Sequence, residues 1–180
     1  MTPTQCLAFW PHATWRRWLD LQAAFGSEAT WWEAGIDAIK ELFWPPETKA
    51  RFAAWRRAAD PDAWANSLAR EHIQLIGAND AAYPALLTHI PDPPVGLFVR
   101  GTLPPPGQWL AAVGTRGASA YGKQAAGIII PPLVQRGVVV VSGLAFGIDT
   151  QCHRLTLANG GSTVAVLGSG VDQISVQPAN

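Results

Sequence analysis

The stretch that decides the fold of the second half of the chain is Val138-Val139-Val140-Val141-Ser142-Gly143-Leu144-Ala145-Phe146-Gly147-Ile148-Asp149. Four consecutive valines are typical of a buried strand. This strand is predicted to end at Ser142-Gly143, and a helix is predicted from Gly147 to Ala158. A buried strand that leads through a short glycine-containing loop into a helix indicates a parallel α/β unit.

The same alternation occurs on both sides of this stretch. The chain predicts a strand over Trp109–Val113, a helix over Ser119–Gln135 and another strand over Thr163–Leu167. Because proline removes a backbone donor, Pro131-Pro132 predicts that the first helix either ends near Ile130 or is kinked there. Three parallel strands that each end near glycine, joined by right-handed crossovers, indicate half of a Rossmann-like sheet. Shorter strands are predicted upstream, over His72–Ile76 and Gly96–Arg100.

The first seventy residues have a different composition, since eight of the nine tryptophans lie in residues 1–64. Apolar residues recur there at helical spacing, as at Trp15, Trp18 and Leu19, and predict four or five short helices. We therefore expect a helical domain over 1–68 and a Rossmann-like domain over 69–180. The tryptophans are interpreted as the core of the helical domain. Stacking on nucleic-acid bases is the alternative.

Composition excludes several classes of protein. Thirteen basic residues balance thirteen acidic ones, which argues against a polybasic arm or an acidic tail. The chain is 48% hydrophobic and 14% charged, unlike disordered proteins. Cys6 and Cys152 are too few for a disulfide framework or a zinc site. Without a signal peptide or an apolar run of about 20 residues, we expect a cytoplasmic protein without membrane association.

The predicted strand ends carry the chemistry. In open α/β sheets, ligands bind beyond the carboxyl ends of the strands. Here those ends are rich in glycine and serine, and two of them feed helix N-termini, which favour anions. Arg116 adds a donor suited to phosphate, and Lys123 lies close to the same loop. No dinucleotide fingerprint or Walker loop occurs, so a conventional NAD or ATP site is not expected, nor any other cofactor or metal.

Several ordered motifs resemble the DNA-processing protein A family (DprA, also called Smf). The resemblance covers about residues 72–172 and implies sequence-independent binding of single-stranded DNA, loading of the RecA recombinase, a homodimer and no enzymatic activity, in natural transformation and recombination. The motifs that carry it are Val113-Gly114-Thr115-Arg116 with Ser119-Ala120-Tyr121-Gly122, Val141 to Asp149, Gly160 to Asp172, Asp80 to Leu87, and Pro93 to Gly101. The helical segment fits the small SAM-like or helix-hairpin-helix-like domain of that family by position and class.

The resemblance also implies roles for individual residues. Residues implied to hold DNA phosphates are Gly114, Thr115, Arg116, Ser119, Lys123, Ser142 and Gly143. Residues implied to line the groove or stack on bases are Ala145, Phe146, Gly147, Gly168 and Ser169. For Phe146, base stacking and a hydrophobic plug under the loop remain alternatives. Asp149 and His153 lie one helical turn apart, but no nucleophile or metal ligand accompanies them, so we interpret them as structural.

Two features limit these expectations. The family's core domain continues with further strands, so we expect an incomplete sheet here and a doubtful homodimer. Residues 71–180 contain five basic and five acidic residues, which predicts weak DNA binding.

Two other functions stay open as alternatives. A Rossmann-like phosphoribohydrolase would need a Pro-Gly-Gly-x-Gly-Thr loop followed by glutamate, which this chain lacks. A protein-interaction module built on the tryptophan-rich segment is the other alternative.

Overall fold

The computed structural model describes residues 1–173 and divides the chain into two compact units. The first, called the helical unit, is Met1–Gly101, and the second, called the sheet unit, is Thr102–Asn180. The boundary predicted between residues 68 and 69 lies inside the helical unit. Residues 174–180, the last part of the predicted Rossmann-like domain, lie outside the described residues.

Local capping sets the helices of the helical unit. The side chains of Thr14, Ser27 and Asp60 each accept a hydrogen bond from the first turn of the helix that follows. Gly26, at φ 75°, ends the helix begun after Thr14. The elements are α1 (Pro3–Leu7), α2 (Trp15–Phe25), α3 (Glu28–Glu33), a 3₁₀ helix (Ile36–Glu41), α4 (Pro46–Ala58) and α5 (Pro61–Arg70). Of these, α1 was not predicted from the sequence.

Aromatic side chains fill the core of the helical unit. Phe52 is fully buried, and its ring lies 5.1 Å from Trp10 and 5.4 Å from Trp44, centroid to centroid, at steep angles. Edge-to-face pairs of this kind add to the free energy of burial. Trp31 is buried in the same cluster, and Trp18, Trp32 and Trp55 pack against it. The interpretation of these tryptophans as core residues is confirmed.

Two strands complete the helical unit. Strands β1 (Ile73–Gly77) and β2 (Gly96–Arg100) pair antiparallel, with Leu75 opposite Phe98, and a 3₁₀ helix (Ala85–His89) lies between them. β1 contacts α1 and α5, and β2 contacts α1. The strands predicted as the entry to the Rossmann-like domain therefore pack with the helices that precede them.

The sheet unit is a three-stranded parallel sheet, as predicted, and the structure shows that its strands lie in the order β3-β4-β5. Its strands are β3 (Trp109–Ala111), β4 (Val139–Ser142) and β5 (Thr163–Ala165), and its helices are α6 (Ala120–Val134) and α7 (Ile148–Ala158). Val140, fully buried, packs with Ala126, Ile130, Val134 and Cys152 from the two helices. Because α6 and α7 also contact each other, both cover the same face of the sheet. The predicted α/β class with a parallel sheet is confirmed.

Of the two outcomes predicted at Pro131-Pro132, the end of α6 near Ile130 is wrong, and a kink there stays a prediction. The helix continues through Pro131 and Pro132 to Val134. The two prolines leave the carbonyls of Gly127 and Ile128 without their helical donors, but both residues are exposed, so water reaches those oxygens. Ile130 and Val134 are buried on either side of the prolines, and this packing holds the last turn in place.

The aromatic core predicts a clear contrast between two phenylalanines. Replacing Phe52, which is fully buried, with alanine should lower the free energy of unfolding by about 3–5 kcal/mol, because it leaves a cavity among tryptophans. Replacing Phe43, which is fully exposed, should change it by less than about 0.5 kcal/mol. Urea denaturation of both variants measures the difference. Equal losses would contradict this assignment of the core.

Candidate phosphate-binding site

Three loops leave the carboxyl ends of the parallel strands. Loop A (Gly114–Ser119) follows β3 and leads into α6, and loop B (Gly143–Gly147) follows β4 and leads into α7. Loop C (Gly168–Gly170) follows β5. Because β3 and β4 are neighbouring parallel strands, loops A and B leave the sheet at the same edge.

Loops A and B are joined through their backbones. The Ile148 N–H donates to the Thr115 carbonyl at 3.1 Å. Gly147 has φ 90°, and a Cβ atom at that position would overlap the Thr115 carbonyl oxygen. A Cβ on Gly114 would lie 2.6 Å from the Ile148 side chain. Glycine is therefore required at both positions for the loops to come this close.

Helix α7 also holds two carbonyl groups of loop B. The His153 Nε2 atom lies 2.6 Å from the Gly143 carbonyl oxygen. The Ala145 carbonyl accepts from the Thr150 hydroxyl at 2.6 Å and from the Thr150 N–H at 3.2 Å. Loop B therefore has its alternate carbonyls fixed toward α7.

Several peptide N–H groups of loops A and B have no acceptor among residues 1–173. In a trans peptide the N–H points opposite to the C=O, and residues 1–173 contain no cis peptide bond. Fixing the carbonyls of Thr115, Gly143 and Ala145 toward α7 therefore turns the next N–H groups away from it. Within residues 1–173, the N–H groups of Arg116, Leu144 and Phe146 donate to no acceptor. Backbone N–H groups without an acceptor are suited to binding an anion.

Cationic side chains lie on loop A and on the first turns of α6. Arg116 is exposed and forms no ion pair or hydrogen bond with the described residues, and the same holds for Lys123. The Ser119 side chain caps α6 by accepting from the Gly122 N–H at 3.1 Å, which leaves its own hydroxyl proton free to donate. Phe146 in loop B is 37% exposed.

The environment of Ser142 does not suit the phosphate contact that the family resemblance implies for it. It is 4% exposed, and its hydroxyl donates to the Ala112 carbonyl at 2.6 Å. This bond ties the end of β4 to the residue that follows β3. The hydroxyl is occupied and buried, so Ser142 serves the sheet rather than contacting a phosphate directly.

The remaining candidates separate into two groups. Gly143, Ala145 and Gly147 belong to loop B and act through their backbones, as described above. Gly168 and Ser169 belong to loop C, which has no hydrogen bond to loop A or B among residues 1–173. Between β5 and loop C, the Val166 N–H donates to the Ser142 carbonyl at 2.8 Å and so connects this segment to the end of β4.

The sequence did not identify Ile148, Thr150 and His153 as the residues that hold the loops. Their spacing along one helix was the available signal, but it does not show which backbone carbonyls they reach. Asp149 lies between them, 7% exposed, and its Oδ1 atom has no hydrogen-bond partner among the described residues. Burial, with a smaller contribution from the Asp149 carboxylate, raises the pKa of the Cys152 thiol.

The part of the chain that the structure describes contains no group of three or more histidine, cysteine or acidic side chains placed to hold a metal ion. Its helices include none with the length and apolar character needed to span a membrane.

Comparison with known proteins agrees with the geometry. The model of the DNA recombination-mediator protein A family matches residues 74–180. The chain belongs to this family. The match contains loops A, B and C, together with the β1–β2 hairpin except its first residue.

Individual family members show how far the similarity extends. DNA processing protein DprA of Bacillus subtilis is 38% identical over 104 residues, which cover 57% of this chain and 35% of that protein. Protein Smf of Escherichia coli is 41% identical over 101 residues, 56% of this chain and 27% of that protein. The chain thus spans about a third of the length of these relatives.

A solved structure extends the similarity to the helical unit. The crystal structure of DNA processing protein A from Streptococcus pneumoniae superposes with a TM-score of 0.69 at 27% identity. The superposition covers 95% of this chain and 58% of that one.

The contact between loops A and B makes a prediction for its glycines. Gly147→Ala should lower the free energy of unfolding by about 3 kcal/mol, because a side chain there overlaps the Thr115 carbonyl and the backbone is left-handed. Gly117→Ala is the matched control, since a Cβ on Gly117 meets nothing within 4 Å and its φ is not positive. Chemical denaturation of both variants measures the effect, and a tolerated Gly147→Ala would contradict the close approach.

Proposed function

We propose that the sheet unit binds the phosphate backbone of single-stranded DNA without sequence preference. The observation that carries the proposal is a set of N–H groups in loops A and B, beside the Arg116 side chain, that have no partner within residues 1–173. Backbone N–H groups at helix N-termini and an arginine fork both match phosphate oxygens. None of these donors reads a base edge, so the binding is independent of sequence.

The distribution of charge supports this choice of unit. The sheet unit contains four basic and two acidic residues, a net charge of +2, and the helical unit has −2. The even balance found from residue 71 onward arises because Glu71, Asp80 and Asp92 belong to the helical unit. A net of +2 supplies modest attraction to a polyanion, so we expect affinity to depend on a few phosphate contacts.

Phe146 supplies an element suited to a single strand. Its ring is 37% exposed beside the free N–H groups of loop B. An unpaired base has an open face that stacks on an aromatic ring, for about 1–3 kcal/mol. Bases in a duplex have no such free face, so we propose that Phe146 favours single strands.

We propose binding rather than catalysis. The Ser119 hydroxyl caps α6 and the Ser142 hydroxyl bonds the Ala112 carbonyl. Neither hydroxyl is hydrogen-bonded to a histidine or a carboxylate among residues 1–173, whereas a serine nucleophile requires an adjacent base.

Family membership supports the biological setting of this proposal. We propose that the chain acts in DNA processing during recombination and natural transformation, and that the bound strand is passed to the RecA recombinase. The relatives from Bacillus subtilis and Streptococcus pneumoniae are named DNA processing proteins, which supports a role in DNA processing. RecA loading and a homodimer remain predictions of the family resemblance.

Arg116 and Lys123 provide the first test. Fluorescence anisotropy with labelled oligo-dT should show about tenfold weaker binding for Arg116→Ala, since one charge-assisted hydrogen bond is lost. Lys123→Ala should weaken it less. Each lost phosphate contact should also make the slope of log K against log salt concentration shallower by about 0.7. Arg136→Ala, a basic residue beyond the other end of α6, is the matched control and should bind like the unaltered chain.

Two outcomes would contradict the proposed function. One is equal affinity for duplex and single-stranded DNA, and the other is an equal loss for Arg116→Ala and Arg136→Ala. The second result would mean that net charge, and not the site, binds the strand.

Ser142 tests whether stability and binding are separate. Ser142→Ala should lower the free energy of unfolding by about 1–2 kcal/mol, because the Ala112 carbonyl loses its buried donor. The salt dependence of oligo-dT binding should stay unchanged, since no phosphate contact is removed. A shallower salt dependence for Ser142→Ala would mean that Ser142 contacts a phosphate directly.

A further inference from the structure

His153 makes two contacts that fix its ring at both nitrogen atoms. It lies in the second turn of α7 and is 8% exposed. Its Nε2 atom lies 2.6 Å from the Gly143 carbonyl oxygen, and its Nδ1 atom lies 2.7 Å from Thr163 Oγ1. A single side chain thus connects α7, loop B and β5.

Hydrogen-bond chemistry assigns the proton on the loop side of the ring. A carbonyl oxygen only accepts, so Nε2 must carry a proton and donate it to Gly143. On the other side, the Thr163 hydroxyl either donates to Nδ1 or donates to the Val140 carbonyl, 2.8 Å away. In the second case Nδ1 donates to Thr163 and the ring carries a proton on both nitrogen atoms. The donation to Gly143 is the same in both arrangements.

This bond determines which way one peptide of loop B faces. With the Gly143 carbonyl held toward His153, the Leu144 N–H of the same peptide points in the opposite direction. That N–H has no acceptor within residues 1–173. If the peptide rotated, a carbonyl oxygen would replace the donor there, and it would repel a phosphate oxygen.

We propose that His153 is a positioning residue for strand binding. It holds the Gly143–Leu144 peptide so that the Leu144 N–H is available to a phosphate, and it does not contact the strand itself. This inference rests on the proposed function and adds to it a buried residue outside loops A and B. Thr150 acts in parallel on the Ala145–Phe146 peptide, which it fixes through the Ala145 carbonyl.

Three variants test the proposal by oligo-dT anisotropy. His153→Leu removes the donor and should weaken binding about tenfold, as expected for the loss of one well-placed hydrogen-bond donor to phosphate. His153→Gln retains an N–H donor on a side chain of similar reach and should recover most of the affinity. Thr156→Val is the matched control, because Thr156 is a fully buried polar residue of α7 whose hydroxyl, among the described residues, bonds only the Cys152 carbonyl.

A second measurement does not depend on DNA. The amide resonance of Leu144 in an ¹⁵N–¹H spectrum should shift strongly in His153→Leu and return toward its original position in His153→Gln. Thr156→Val should instead shift the Gly161 amide, whose N–H donates to the Thr156 carbonyl at 3.0 Å. Thermal unfolding of the three variants shows which losses are due to stability alone.

The outcomes separate this inference from the proposed function. Weaker binding by His153→Leu, rescue by His153→Gln and normal binding by Thr156→Val support it. Equal losses in His153→Leu and Thr156→Val overturn it, because they indicate a general loss of stability. If the unaltered chain does not bind oligo-dT, the proposed function fails. In that case an unshifted Leu144 amide in His153→Leu overturns the positioning role, and a shifted one supports it.

Discussion

The hydrogen bond from the Ile148 N–H to the Thr115 carbonyl is the contact on which the candidate site depends. It joins the start of α7 to loop A and brings the two loops into backbone contact. This approach is possible only because Gly147 and Gly114 have no side chain. With the loops in contact, the N-terminal ends of α6 and α7 meet at one edge of the sheet. A single backbone contact therefore creates a site that neither helix forms alone.

Around this contact, α7 serves two purposes along its length. Its apolar side places Ile148, Cys152 and Leu155 in the core with α6 and the sheet. Its polar side chains, Thr150 and His153, hold the carbonyls of loop B. The core therefore fixes the helix, and the helix fixes the loop. Loop geometry in this protein therefore depends on core packing, which places α7, as well as on the glycines of the loops themselves.

In the helical unit, too, the packing of apolar groups takes precedence over the hydrogen bonding of buried donors. The indole N–H groups of Trp31 and Trp55 are buried without an acceptor among the described residues. The Trp31 ring lies 6.4 Å from that of Phe52, and the Trp55 ring lies 5.4 Å from it. The free energy of burying these rings offsets two unpaired donors. In α6, likewise, the burial of Ile130 and Val134 offsets the backbone hydrogen bonds that the two prolines between them remove.

The sequence by itself determined the parallel order of strands and helices in the sheet unit and the position of its glycine-rich loops. Strong local signals made this possible: a run of valines, helices of about a dozen residues and glycine at the strand ends. It also offered Arg116 and Lys123 as candidates, because a basic residue close to a predicted helix N-terminus can be recognised from the order of residues alone. Only the tertiary structure decided that the β1–β2 hairpin packs with the helices, that α6 passes through its prolines, that Ser142 faces inward and that His153 reaches Gly143. Each of these depends on contacts between residues distant along the chain, and local propensity and spacing do not encode which distant atoms will meet.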